Sequence, residues 1–188
     1  GHSGEDGLKL AMAAFGGFDH NDHTLRIIML LEQRYAEFDG LNLTFETLEG
    51  ILKHCSLSKA AELGELGLRF INKQQPSLEA QLANIADELA YNFHDLDDGL
   101  RANVLKLDQL EEVEIIRVEL ARIRTKYPHL TGRRLHKELV RHLINTTIYE
   151  LIDNCRANLD KYQPESVEEV HLLPAIIQYS PESFARQR

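Results

Sequence analysis

The stretch from Leu82 to Asp98, LANIADELAYNFHDLDD, has the spacing of an amphipathic α-helix and constrains the fold more than any other part of the chain. Steps of four and seven residues nearly complete helical turns, so apolar residues recur on one side and polar residues on the other. The apolar side comprises Leu82, Ile85, Ala86, Leu89, Phe93, Leu96 and Leu100. The polar side, called the acidic stripe below, comprises Asp87, Tyr91, His94, Asp95 and Asp98.

The composition of the acidic stripe allows two interpretations. Three aspartates, a tyrosine and a histidine, with no lysine or arginine, suit a bound cation or hydroxyl groups that need strong acceptors. A solvated acidic helix side has the same composition. From Asp87 to Asp95 the stripe would extend about 12 Å at the helical rise, which is long enough for a nucleoside phosphate. The stretch by itself leaves both interpretations open.

Helical periodicity recurs along the rest of the chain, and no segment alternates as a strand would. The sequence therefore predicts an all-α fold, with Ser77 as the N-cap of the helix that carries the acidic stripe and Gly99 at its end or at a bend. Prolines in the last part of the chain predict an irregular tail over 164–188, after a helical domain over 1–163. The other helices are predicted near 3–15, from about 22 to 35, and over 44–54, 107–126 and 132–158.

The net charge of −9 disfavours long-range attraction to nucleic acid or to an anionic membrane. Nucleic acid is therefore not expected as a partner, except in a regulatory role. No apolar run has the length of a membrane span, so no membrane partner is expected either. The two cysteines, Cys55 and Cys155, lack metal-site spacing and favour a reducing compartment, which predicts a cytoplasmic protein.

Three smaller groups are candidates for chemistry. His2 and Glu5, three residues apart at a helix start, can form an imidazole–carboxylate pair for acid–base work, although a frayed chain end would look the same. The polar run from Asp19 to His23 is either a helix cap with its loop or a source of phosphate or metal contacts. The cations Arg26, Lys53 and His54 are either solvated or in contact with phosphates.

Taken together, the motifs resemble those of the HD-domain deoxyguanosinetriphosphate triphosphohydrolases and the dGTPase-like proteins of bacteria. The matching segments are GHSGED, FDHNDHTLRI, FDGLNLTFETLEGILKH, SLEAQLANIADELAY and HDLDDGLR. They follow in the family's order and cover most of Gly1 to Arg101. The resemblance implies an HD-domain helical bundle and hydrolysis of a deoxynucleoside triphosphate by water attack at the α-phosphorus, giving a deoxynucleoside and inorganic triphosphate. A divalent metal, Mg²⁺ or Mn²⁺, would be the cofactor, and the protein would be a homo-oligomer.

The same resemblance implies roles for individual residues. Asp87 would be the last carboxylate ligand of the metal, Tyr91 would pack on the deoxyribose, and Asp95 would bind the sugar 3′-hydroxyl. These three residues all belong to the acidic stripe, which helical periodicity places on the polar side of the helix. Near the phosphates, the resemblance implies His2 and Glu5 as an acid–base pair, His20 close to them, and Asn21, Arg26 and Lys53 as further candidates.

Departures from the family pattern limit what the resemblance implies. The family's first metal-binding His and its His-Asp pair would lie upstream of Gly1, so the chain is expected to be a fragment that is inactive by itself. His23 and the segment after His54 also differ from the usual pattern, which leaves the preferred nucleotide open. Two alternatives therefore stand: an HD phosphohydrolase acting on another nucleotide, and a nucleotide-binding or oligomerisation module without turnover.

Overall fold

The computed structural model of the chain describes residues 2–52, 55 and 57–186, without the side chains of His2 and Ser58. Within these ranges the fold is all-α, as predicted, and its only strand-like feature is an isolated bridge between Gln33 and Gly40. None of the described helices has the length and apolar character to cross a membrane. The helices are α1 His2–Met12, α2 His20–Arg26, α3 Phe45–Ile51, α4 Leu57–Glu62, α5 Glu65–Ile71, α6 Leu78–Arg101, α7 Leu107–Leu110, α8 Glu114–Lys126, α9 Gly132–Tyr162, α10 Val167–Leu172 and α11 Pro181–Arg186.

The chain forms two compact units, Gly1–Lys73 and Gln74–Arg188. In the first unit, α2 begins earlier than the predicted start near Asp22. The side chain of Asp19 accepts hydrogen bonds from the backbone N–H groups of Asn21 and Asp22, at 2.9 and 3.1 Å, and so caps the helix one residue before His20. The helix ends earlier than Tyr35, in a π-helical turn over Ile27–Leu31.

Close backbone contacts hold the first unit together. A Cβ at residue 67 would lie 1.8 Å from the carbonyl oxygen of Ala60, so only glycine permits this approach of α5 to α4. Both of these helices lie between the predicted helix over 44–54 and the helix that carries the acidic stripe. Arg69 of α5 is buried and binds the carboxylate of Glu49 on α3, which ties a third helix to the pair.

The second unit has its core between α6, α8 and α9. Its buried cluster is built from Ile116, Leu120, Ile123, Leu135, Leu139 and Leu143. Phe93 and Leu96 of α6 pack against this cluster, so the apolar side of the α6 C-terminal half faces the core as predicted. The helix predicted over 107–126 is interrupted: α7 ends at Leu110, and α8 starts after Val113, whose extended backbone (φ −80°, ψ 122°) breaks the helical path.

The segment over 164–188, predicted to be irregular, contains two short helices. Ser166 caps α10 by accepting from the Glu169 N–H at 3.2 Å, and Pro181 stands at the first position of α11, where its missing N–H costs nothing. Between them, the Gln81 side-chain oxygen accepts from the N–H groups of Ile176 and Ile177, at 2.9 and 3.1 Å. The prediction of an irregular tail missed these caps and the long-range bonds from α6, and the predicted domain over 1–163 stays a prediction.

Candidate functional site

The acidic stripe lies on an exposed side of a continuous helix. Ser77 caps α6 as predicted, accepting from the Ala80 N–H at 3.3 Å, and the helix runs past Gly99 to Arg101 instead of ending at the glycine. All five residues of the stripe are exposed, and the side chain of Tyr91 is 64% exposed. The helix therefore presents the stripe to solvent, where a ligand can reach it.

Two residues of the stripe lie one helical turn apart, namely Tyr91 and Asp95. The Asp95 carboxylate, as a hydrogen-bond acceptor and a negative charge beside the phenol, raises the pKa of Tyr91 above its ordinary value. Tyr91 is thus a neutral hydrogen-bonding aromatic ring held beside a carboxylate, which is the kind of pair that contacts a sugar.

The N-terminal half of α6 departs from the predicted amphipathic pattern. Leu82 is 53% exposed, and Ala86 is also exposed, although both were assigned to the buried side. The buried positions here are Ala80 and Gln81 instead. Gln81 is buried because its amide donates to the carbonyl of Pro76 while its oxygen binds the segment before α11, and a polarity pattern does not reveal such long-range partners.

In the first unit, Glu5 of α1 joins His20 of α2. One Glu5 carboxylate oxygen lies 2.8 Å from Nδ1 of His20 and 3.0 Å from Nζ of Lys9. These two donors, His20 first, lower the pKa of Glu5 to about 2. The carboxylate is therefore ionised near neutral pH and fixes the orientation of the His20 ring.

The structure brings some of the predicted phosphate-site residues together and leaves others undescribed. Glu5 and His20 are in contact, although His20 was predicted only to lie near the phosphates, and Lys9 is an additional member of the cluster. The i, i+4 spacing of Glu5 and Lys9 was the sequence signal that could have identified it. Asn21 is half-buried in the first turn of α2, and Arg26 is exposed at its end. The His2 side chain and the whole of Lys53 and His54 lie outside the described residues.

A metal site needs several ligating side chains that converge on one point. No group of three or more His, Cys, Asp or Glu side chains converges within the part of the chain that the structure describes. A single aspartate supplies too few oxygen ligands for a tight divalent site. The described residues therefore do not form a complete metal site.

The Glu5 cluster leads to a direct titration experiment. We expect the Glu5 carboxylate to remain ionised as the pH falls through the ordinary glutamate range, and to protonate only near pH 2. Since its pKa is lowered by folding, the stabilisation it provides is present above the ordinary pKa of 4.5 and is lost as the pH falls toward 2. Carbon-13 NMR of the side-chain carboxylate would follow this change.

The role of Lys9 in this titration can be tested with a matched lysine. Lys9→Met should raise the pKa of Glu5, because one of the two hydrogen-bond donors is lost. Lys59→Met should leave it unchanged, since Lys59 pairs with Asp22 and Glu62, at 2.6 and 2.8 Å. Titration of Glu5 at the ordinary pKa in the unsubstituted chain would contradict the cluster.

Comparison with known proteins gives relatives that cover the whole chain. The deoxyguanosinetriphosphate triphosphohydrolase-like protein of Thiobacillus denitrificans is 53% identical over 188 residues, which is 100% of this chain and 50% of that protein. The protein of the same name from Ralstonia pickettii is 50% identical over 180 residues, covering 96% of this chain and 46% of its own length. The protein of the same name from Nitrosomonas europaea is 49% identical over 188 residues, which is 100% of this chain and 50% of that protein.

The chain spans about half the length of the curated relatives it matches. No family model matches it. Identity near 50% over the whole chain nevertheless agrees with the resemblance that the ordered motifs indicate. The chain is therefore a relative of the deoxyguanosinetriphosphate triphosphohydrolase-like proteins and corresponds to a segment of about half their length.

Proposed function

We propose that the whole protein hydrolyses a deoxynucleoside triphosphate, dGTP or a related nucleotide, to a deoxynucleoside and inorganic triphosphate. The observation that carries the proposal is the near 50% identity, over the entire chain, to proteins named as dGTP triphosphohydrolase-like. The exposed acidic stripe on α6 supports it, because the residues with implied sugar and metal roles share one accessible helix side. A homo-oligomeric state and a cytoplasmic location stay predictions.

In this proposal, α6 binds the sugar. Asp95 accepts a hydrogen bond from the 3′-hydroxyl, and the exposed ring of Tyr91 packs against the deoxyribose. The spacing of the two side chains supports this role, since Tyr91 and Asp95 lie one helical turn apart on the same exposed side of α6. A ring held against C2′ leaves little space for a 2′-hydroxyl, so a deoxyribonucleotide is the proposed substrate.

The Glu5–His20 pair is the proposed acid–base group near the phosphates. With the Nδ1 proton donated to the Glu5 carboxylate at 2.8 Å, the Nε2 atom of His20 is left as an acceptor. That nitrogen can take the proton of the attacking water and return it to the leaving 5′-oxygen. His2 is proposed to assist, while Asn21 and Lys53 are proposed phosphate contacts.

A divalent metal, Mg²⁺ or Mn²⁺, is part of the proposal, with Asp87 as one ligand. The described residues offer no complete ligand set, so the further ligands are proposed to lie among residues that the structure does not describe. Such a metal would neutralise phosphate charge and acidify the attacking water.

Product identification tests the proposed reaction. We expect the whole protein, supplied with Mn²⁺ or Mg²⁺ and a panel of dNTPs, to release inorganic triphosphate and deoxynucleoside in equal amounts. Ion-exchange chromatography separates triphosphate from pyrophosphate and orthophosphate. Release of only the two shorter phosphates would overturn the proposed attack at the α-phosphorus and favour an HD phosphohydrolase with another reaction.

A second candidate is a nucleotide-binding or oligomerisation module without turnover, since the described residues do not bring three metal-ligating side chains together. Such a module would be stabilised against thermal unfolding by a dNTP, because a ligand that binds the folded state shifts the unfolding equilibrium. The same dNTP would give no product on prolonged incubation. If a dNTP stabilised the whole protein but gave no product, the proposed hydrolase would be overturned and the nucleotide-binding module would be favoured.

A further inference from the structure

A cavity of about 530 Å³ lies within the second unit. It is lined by α6, by the C-terminal half of α9, and by α11 with the segment that leads into it. Long-range hydrogen bonds connect these elements: the Asn154 side chain donates to the carbonyl of Gln178 at 2.7 Å, and the Gln81 side chain accepts from the Ile176 N–H at 2.9 Å. The fold therefore forms the walls of the cavity before a ligand arrives.

The amide side chains that line the cavity offer acceptors to a ligand. The nitrogens of Asn154 and Asn158, both on α9, donate to the backbone carbonyls of Gln178 and Ile176, at 2.7 and 2.8 Å. The side-chain nitrogen of Gln178 donates to the carbonyl of Ala175 at 2.6 Å. Because a backbone carbonyl only accepts, these bonds fix which end of each amide is the nitrogen. The carbonyl oxygens of the three side chains remain as the groups for a ligand, and they accept hydrogen bonds.

The charge at the cavity is negative. Among the described residues that line it, the charged side chain is Glu88, which is exposed on α6. The lining contains neither lysine nor arginine, and Arg186 of α11 pairs with Glu150 at 2.7 Å. Burial first, and then the charges of Glu88 and Glu150, raise the pKa of the Tyr179 phenol in the cavity wall above its ordinary value. A cation is therefore attracted to this cavity, and an anion is repelled.

The remainder of the lining is largely apolar. Ile85 and Leu89 of α6 are half-buried, and Phe184 of α11 is 46% exposed. A hard metal ion binds oxygen ligands and gains nothing from hydrocarbon. An alkyl chain, in contrast, is removed from water when it packs on such side chains. The lining therefore fits an organic cation that carries a hydrocarbon chain.

We propose that this cavity binds a primary aliphatic amine in its protonated form, with the ammonium group on Glu88 and the carbon chain against Ile85 and Leu89. An ammonium group has three donors that point apart, which suits a carboxylate on α6 together with amide oxygens on α9. A guanidinium presents its donors in one flat fork and suits a single carboxylate. The site uses none of the residues assigned to the proposed hydrolysis, so either can fail without the other.

Saturation-transfer NMR with the whole protein at neutral pH and constant ionic strength tests the proposal. Butylamine, which is protonated at this pH, should bind, whereas 1-butanol, which has the same chain and no charge, should not. Methylamine should bind about 5- to 50-fold more weakly than butylamine, because three methylene groups lose their contacts. Equal binding of the alcohol, equal binding of methylamine, or no binding of butylamine up to about 10 mM would overturn the site.

Two substitutions on α6 locate the ammonium group. Glu88→Gln should weaken butylamine binding about 5- to 30-fold, because a charge-assisted hydrogen bond is lost. Asn92→Asp places a second carboxylate in the lining, one helical turn after Glu88, and should tighten binding about 2- to 5-fold. Binding that is unchanged in both variants would overturn the role of Glu88.

Glu79→Gln is the matched control, since Glu79 is an exposed glutamate of the same helix that lies outside the cavity lining. It removes the same charge and should change the affinity for butylamine by less than about twofold. Equal weakening by Glu79→Gln and Glu88→Gln would reduce the effect to net charge and overturn the site. Displacement of butylamine by Mg²⁺ or K⁺ at unchanged ionic strength would overturn the amine in favour of a metal ion. Circular dichroism of every variant checks that α6 remains folded.

Discussion

Asp87→Asn is expected to abolish triphosphate release by the whole protein while leaving its fold intact. Asp87 is exposed on α6, so exchanging its carboxylate for an isosteric amide buries no unpaired charge. The amide oxygen is a weaker ligand for a hard divalent cation, and the proposed metal would lose a charged ligand. We expect a decrease in turnover of about 10³-fold or more, measured as triphosphate formed from a dNTP, with the free energy of unfolding changed by less than about 0.5 kcal/mol.

Asp98→Asn is the matched control for this prediction. Asp98 lies on the same acidic stripe of the same helix and is exposed, and its carboxylate pairs with Arg101 at 2.9 Å. The same charge is removed from the helix, but no ligand or sugar role is assigned to this residue. Turnover should stay within about twofold, since an exposed pair contributes little. Full activity of Asp87→Asn, or equal loss in both variants, would contradict the assignment of Asp87 as a metal ligand.

The helices that sequence predicts well are those whose signals are local. The serine cap and periodic spacing of α6 give its start, and four-residue spacing places Tyr91 and Asp95 together because both effects act within one or two turns. The break between α7 and α8 was missed because apolar spacing continues through Val113, while its extended backbone is selected by packing against the core.

The candidate site was only partly predictable for a similar reason. The resemblance selects Glu5 and His20, but their contact joins residues fifteen positions apart, and no pattern within one helix predicts it. Lys9, four residues after Glu5, follows from local spacing and was overlooked. Leu82 is 53% exposed while its neighbour Gln81 is buried with distant backbone partners, so the amphipathic pattern alone assigned Leu82 to the wrong side.

Arg69→Met is expected to destabilise the first unit by about 3–5 kcal/mol, because it leaves the buried carboxylate of Glu49 without its cation. The side chains of Arg69 and Glu49 are 9% and 6% exposed, and Nε of Arg69 lies 3.1 Å from the carboxylate. Its Nη2 also donates to the carbonyls of Glu49 and Leu52, at 3.1 and 2.9 Å, and methionine cannot replace these bonds. Urea unfolding followed by far-UV circular dichroism measures the loss, since the chain has no tryptophan.

Two further variants distinguish the effect of breaking the buried ion pair from the effect of removing an arginine anywhere in the chain. Arg34→Met removes an exposed arginine that lies 3.6 Å from Glu32, and it should change the free energy of unfolding by less than about 0.5 kcal/mol. The double variant Glu49→Leu with Arg69→Met removes both buried charges and should recover much of the loss, because no unpaired carboxylate remains. If the double variant were as unstable as Arg69→Met, the two carbonyl hydrogen bonds and not the ion pair would be the main contribution of Arg69. If Arg69→Met unfolded like Arg34→Met, the contact between α3 and α5 through this arginine would contribute nothing to stability.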